Sequence, residues 1–132
     1  MMYLLDTNAC IHFMAGKYGV GFKALNVGLD NCFISEITVL ELMYGAACSR
    51  DKINNRNKID SFVSMINVKL IDSAFDIFST EKIRLKQAGL LIADFDLLIG
   101  ATAIANSYTL VTNNTKHFIR LHNIQLEVWT IK

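Results

Sequence analysis

The chain has 132 residues, 52% of them apolar, with 13 basic and 12 acidic side chains. That length suits one domain with a sizeable core, and near-average charge and apolar content exclude a disordered chain. A net charge of +1 excludes bulk electrostatic attraction to nucleic acid or to an acidic membrane, so any nucleic-acid chemistry must be local.

Proline is absent, which leaves the turns to Gly, Asn, Asp and Ser. Cys10, Cys32 and Cys48 form an odd set without a C-x-x-C pair, the pattern of a reducing cytoplasm rather than of a disulfide framework. His12, His117 and His122 offer no zinc spacing. The first residues lack a basic, apolar leader. The apolar stretch 88–105 contains Asp94 and Asp96, each costing about 2.5–3.5 kcal/mol at a bilayer centre, so no membrane association is expected.

In chain order, Tyr3 to Leu5 reads as a strand that ends at Asp6-Thr7-Asn8, a helix start. The glycine-punctuated stretch to Gly28 predicts two short helices. Cys32 to Ile34 is a second strand, and Ser35 caps a helix through Ile37, Leu40, Glu41 and Tyr44. A charged break over 49–57 leads into helical spacing at Ile59, Phe62, Val63 and Ile66. Val68 to Ile71 is a third strand, followed by a helix up to Gly89. Asp94 or a neighbour opens an apolar helix ending near Asn106. Thr109 to Val111 and Leu126 to Val128 complete the strands. Strands alternating with helices predict one α/β domain over residues 1–132 with a mainly parallel sheet of four to five strands and helices on both faces.

Most acids, Glu81 among them, stand beside polar neighbours and read as solvated. Asp6, Glu41 and Asp96 are instead embedded in apolar sequence. A buried carboxylate needs a distant cation, backbone or hydroxyl donors, or a shared metal ion. Each position also has a plainer reading: a helix cap at Asp6, the polar edge of a helix at Glu41, and first-turn acids at Asp94 and Asp96. Topology favours the metal, because ligands of open α/β sheets bind beyond the carboxyl ends of the strands where strand order reverses. Oxygen ligands without Cys or His select Mg²⁺ or Mn²⁺.

These segments resemble the PIN domain, and specifically VapC-type toxins of bacterial type II toxin–antitoxin pairs. The carriers are Leu4-Leu5-Asp6-Thr7-Asn8, Phe33 to Gly45 around Glu41, Gly89 to Ala101 around Asp96, Leu110 to Asn114 with His117-Phe118, and the closing Leu126 to Trp129. The resemblance implies an α/β/α sandwich and a metal-dependent endoribonuclease acting on tRNA or another structured RNA. It makes Asp6, Glu41 and Asp96 the catalytic, metal-holding acids, with Asp94 at a variable position. Asn114 stands where many relatives carry a fourth acid; its amide can offer a carbonyl but no charge. Thr7, Asn8, Ser35, Thr112 and Asn113 would position ligands or water, and Lys116 would contact RNA phosphate. Implied partners are a VapB-type antitoxin, the RNA and a second copy, in a homodimer that assembles into a hetero-oligomer. An apolar groove from Ile11, Phe13, Met14, Phe22 and Leu25 would receive the antitoxin. The rivals are a receiver-type domain with Asp72 as phosphoacceptor, and an inactive PIN binding module.

Overall fold

The computed structural model describes residues 1–131. Its centre is a sheet of five parallel strands in the order β3-β2-β1-β4-β5. These are β1 (Tyr3–Leu5), β2 (Cys32–Ser35), β3 (Asn67–Lys69), β4 (Thr109–Val111) and β5 (Gln125–Glu127). The helices are α1 (Thr7–Ala15), α2 (Val20–Val27), α3 (Glu36–Ala47), α4 (Lys52–Met65), α5 (Phe75–Ala88), α6 (Asp94–Ala105) and the single turn α7 (Thr115–Phe118).

Successive strand residues point to opposite faces, so the central strands feed two cores. Leu5, Ile34 and Val111 pack on one face with Ala9, Val20, Leu42, Ile59, Phe62 and Trp129. Leu4 and Leu110 pack on the other with Leu85, Leu97, Ile99, Phe118 and Leu121. Both faces are covered, which is why Leu4-Leu5 in β1 and Leu110-Val111 in β4 are consecutive apolar residues rather than alternating ones. The expected α/β/α sandwich is therefore present, with five strands, all parallel.

Several expectations need correction. The charged break is mostly helix: α4 already begins at Lys52, with the Asp51 carboxylate accepting from the Asn54 amide at 3.3 Å. Strands β3 and β5 each lie one or two residues earlier than their apolar runs suggested. Glu81 is not solvated but 6% exposed. Its carboxylate holds Arg84 Nε at 2.6 Å and the His122 amide at 2.6 Å. Arg84 also donates to the Arg120 carbonyl at 2.7 Å, so one buried acid ties α5 to the loop after α7.

Two glycines shape the approach to α6. Gly89 ends α5 with φ +69°, a left-handed conformation that residues with a Cβ rarely adopt. Gly100 faces Leu121 and, at 3.3 Å from where a Cβ would stand, Phe118. Both neighbours are buried, so neither side chain can swing into solvent. Gly100→Val is expected to lower the stability by about 1–3 kcal/mol through overpacking, read as a shift of the urea midpoint at unchanged slope.

The strand order also removes the receiver-type rival. That architecture places β3 beside β1 (order 2-1-3-4-5), whereas here β2 stands between them. Asp72, following the edge strand β3, is thus separated from Asp6 by a whole strand.

Candidate active site

The chain leaves β1 toward β2 and β3 on one side and later returns to β4 and β5 on the other. The reversal lies between β1 and β4, whose carboxyl ends open the crevice where such sheets bind ligands. Parallel register aligns Leu4 with Phe33 and Leu5 with Val111. Carrying each pairing past the strand ends puts Ser35, Asp6 and Thr112 in one row, and all three are buried.

Asp6 caps α1, its Oδ1 accepting from the Ala9 amide at 2.8 Å. Burial pushes its carboxyl above the usual carboxylate range, against the lowering effects of the Thr112 hydroxyl and the Ala9 amide; the Asp96 charge raises it further. Thr112 Oγ1 in turn accepts from the Asn114 amide at 2.9 Å.

Ser35 caps α3 by accepting from the Ile37 amide at 3.0 Å. One turn into α3 stands Thr38, fully buried, and one turn further stands Glu41. The Thr7 hydroxyl donates to Glu41 Oε1 at 2.6 Å and lies 3.1 Å from Thr38 Oγ1. Asp96 sits in the first turn of α6, half-buried, with no hydrogen bond or ion pair to its carboxylate among the described residues. Burial raises its pKa, the facing Glu41 charge raises it further, and His117 lowers it. The three ion pairs of the described residues involve none of these acids. Of the compensations open to a buried carboxylate, backbone and hydroxyl donors serve Asp6 and Glu41. Asp96 has none.

The other expected residues divide. Asp94 turns to Lys82 on α5, at 2.9 Å, with more than half of its side chain exposed. Asn114 Nδ2 meets His117 Nδ1 at 3.0 Å. Asn113 Oδ1 accepts from the Thr130 hydroxyl at 3.0 Å, and Asn8 lines a small depression with Asn113, Trp129 and Thr130. Lys116 is exposed on α7. The Cys10 and Cys32 thiols are buried, and burial pushes Cys32 to about 11, which leaves it unreactive at neutral pH.

A groove of about 380 Å³ runs between α1, α3 and α4, lined by Ile11, Met14, Leu42, Ala46 and Ile59 and reaching Glu41. The five residues expected to form a single groove do not: Phe13 packs edge-on against Phe62, and Phe22 with Leu25 borders a separate depression around Gly16, Gly19 and Gly21.

The PIN domain family model matches residues 3–123. The chain belongs to the PIN domain family. Ribonuclease VapC2 of Rickettsia felis is 37% identical to this PIN domain over 98% of both chains. The tRNA(fMet)-specific endonuclease VapC of Shigella flexneri is 31% identical over 98% of this chain and 99% of its own. Among solved structures, Rickettsia felis VapBC2 bound to a promoter DNA fragment superposes with a TM-score of 0.89 at 35% identity, covering 98% of this chain and 99% of that one. DNA-bound VapBC of Salmonella typhimurium gives 0.91 at 28% identity over 98% of both.

Two residues of this PIN domain site escaped sequence reasoning. Thr38 reads as one more apolar-helix residue; its spacing of three from Glu41 was the available signal. His117 stood near Asn114 in the sequence, but its influence on Asp96 depends on how α7 folds back.

The donor set suits a hard cation. Three carboxylates approach one crevice without Lys or Arg, and burial already disfavours the charge on two of them. Among the described residues no three His, Cys, Asp or Glu side chains stand together closely enough to hold a metal ion by themselves. Mg²⁺ binds through one or two carboxylates, several waters and substrate phosphate.

Proposed function

We propose that the chain is the toxin of a type II toxin–antitoxin pair, an endoribonuclease dependent on Mg²⁺ or Mn²⁺ that hydrolyses a structured RNA, with tRNA the favoured class. The observation that carries the reading is Asp6 at the strand-order reversal, its pKa raised by burial and by the Asp96 charge, and Asp96 raised in turn by burial and by Glu41, with no Lys or Arg paired to any of the three among the described residues. The VapC names of its relatives, at identities up to 37% over nearly the whole chain, support it.

Asp6, Glu41 and Asp96 would hold the ion. A bound divalent metal lowers the pKa of water and offsets charge on phosphoryl oxygens. The remaining work falls to the chain. The Ala9 amide and Thr112 fix the orientation of Asp6, and Thr7 fixes Glu41. Asn114 orients the His117 ring beside Asp96. Lys116, exposed next to these groups, is the proposed phosphate contact. Asn114 serves here through His117 and Thr112 rather than as a ligand, and Asp94 through its pairing with Lys82. No side-chain nucleophile is needed, which agrees with the buried, protonated thiols.

The partner is a VapB-type antitoxin, as in the VapBC assemblies that this fold matches. The groove between α1, α3 and α4 suits an apolar segment of it, and because Glu41 is part of its lining, a segment lying there also covers that acid. A homodimer of the toxin within that complex completes the proposal. No helix among the described residues is long and apolar enough to cross a membrane.

The test is cleavage of purified tRNA. Activity is expected with Mg²⁺ or Mn²⁺, none with EDTA, and recovery when metal is restored, leaving 5′-phosphate and 3′-hydroxyl ends. Undiminished cleavage in EDTA, or cyclic phosphate products, would refute the metal-dependent mechanism.

A further inference from the structure

Thr38 is wholly shielded from solvent, and its hydroxyl has one hydrogen-bond partner among the described residues, Thr7 Oγ1 at 3.1 Å. Distance does not say which of the two donates. Proton counting does. A threonine hydroxyl carries one proton and two lone pairs, and an ionised carboxylate can only accept. The Thr7 proton is therefore committed to Glu41 Oε1, 2.6 Å away. Thr7 has nothing left to give Thr38, so Thr38 must be the donor. The result is a directed chain in which both protons point toward the carboxylate, running from α3 to the start of α1 and back to α3.

We infer that Thr38 is a positioning residue for Glu41, acting through Thr7 on the metal-holding geometry of the carboxylate. It touches no substrate. Its proton occupies an acceptor site of Thr7, which prevents that hydroxyl from rotating away and strengthens its bond to Glu41, since hydrogen bonds in a chain polarise one another where the dielectric is low. Oε1 is thereby tied, which leaves Oε2, with no hydrogen-bond partner among the described residues, available to a metal ion. A buried threonine can also be present for its shape alone. Valine has that shape without the hydroxyl, so the two roles separate experimentally. The inference rests on the proposed reading of Glu41 as a metal-holding group.

The experiment is calorimetric titration of the full chain, without RNA, with Mn²⁺ alone. Groups that orient metal ligands typically contribute tenfold or more in affinity. Thr38→Val is accordingly expected to weaken Mn²⁺ binding about tenfold, and Thr38→Ser, which keeps the proton, to restore it to within about twofold. Thr38→Ala removes the same proton without adding a methyl beside Thr7 and gives the same loss if the valine variant fails to fold. Wild-type affinity in Thr38→Val, or an equal loss in Thr38→Ser, overturns the inference. Glu41→Gln separates the two levels. If it binds Mn²⁺ as tightly as wild type, the reading of Glu41 falls and the inference with it. If it loses binding while Thr38→Val does not, the role of Thr38 alone is refuted.

Discussion

Asp6→Asn is expected to reduce RNA cleavage by more than a hundredfold while making the protein more stable. The activity loss exceeds the roughly 10–100-fold cost of removing a group that only orients a metal ligand, because Asp6 is proposed to be a ligand itself. The stability gain follows from burial. Asp6 is 7% exposed, and burial lifts its pKa in the folded state. For a carboxyl raised by folding, the native state binds more protons between the unfolded and folded values, so ionisation opposes folding above the unfolded value and does so fully above the folded one. Asparagine still caps α1 through its carbonyl, since Asn and Asp are near-equal caps, and it carries no charge to desolvate. A gain of about 1 kcal/mol at pH 7 is expected, the size common where a strained functional group is relieved. The gain should shrink as the pH falls through the raised folded-state value and be gone below the ordinary aspartate value of 3.8. Urea midpoints of both proteins at pH 7 and pH 3, in EDTA, measure it. A less stable variant at pH 7 would contradict the account.

Glu81→Ala is expected to do the opposite, removing about 2–3 kcal/mol of stability at pH 7. Its carboxylate neutralises Arg84 and accepts the His122 amide. Truncation strands the amide and a partly buried guanidinium, the costly way to break such a network. The hydrogen bonds from Arg84 hold the Glu81 carboxyl below the usual range, against the opposing effect of burial. A carboxyl lowered by folding contributes stability that is fully present above its unfolded pKa and lost as the pH falls through its folded value. The wild-type advantage over Glu81→Ala should therefore shrink in acid, measured by urea midpoints from pH 7 to pH 2. Two buried acids in one small domain thus contribute with opposite signs. At Glu81 the donors outweigh burial, and at Asp6 burial outweighs the donors.

Two of the inner strands of the sheet were legible in the sequence. Tyr3 to Leu5 and Thr109 to Val111 are strands with the expected bounds, because strands covered on both faces carry consecutive apolar residues, here Leu4-Leu5 and Leu110-Val111. The half-exposed edge strands drifted by one or two residues, since Val68 and Leu70 look like core yet stand exposed. Apolar neighbours correctly marked Asp6 as buried, whereas polar neighbours misplaced Glu81. Its burial comes from Arg84 and the loop at His122, one of them forty-one residues away, and no local pattern contains that partner. Thr38 was illegible for the same reason. Its role depends on Thr7, thirty-one residues earlier.

The strand order has a consequence for synthesis. On a growing chain Asp6 and Glu41 emerge early, yet β1 must wait for β4, at Thr109–Val111, before its second flank is paired and Thr112 can reach Asp6. Asp96 rides on α6, whose buried face packs against Leu110, Phe118 and Leu121 from the same late segment. Pairings this distant in sequence close last. A ribosome-bound fragment ending before β4 therefore holds all three acids without the crevice that brings them together.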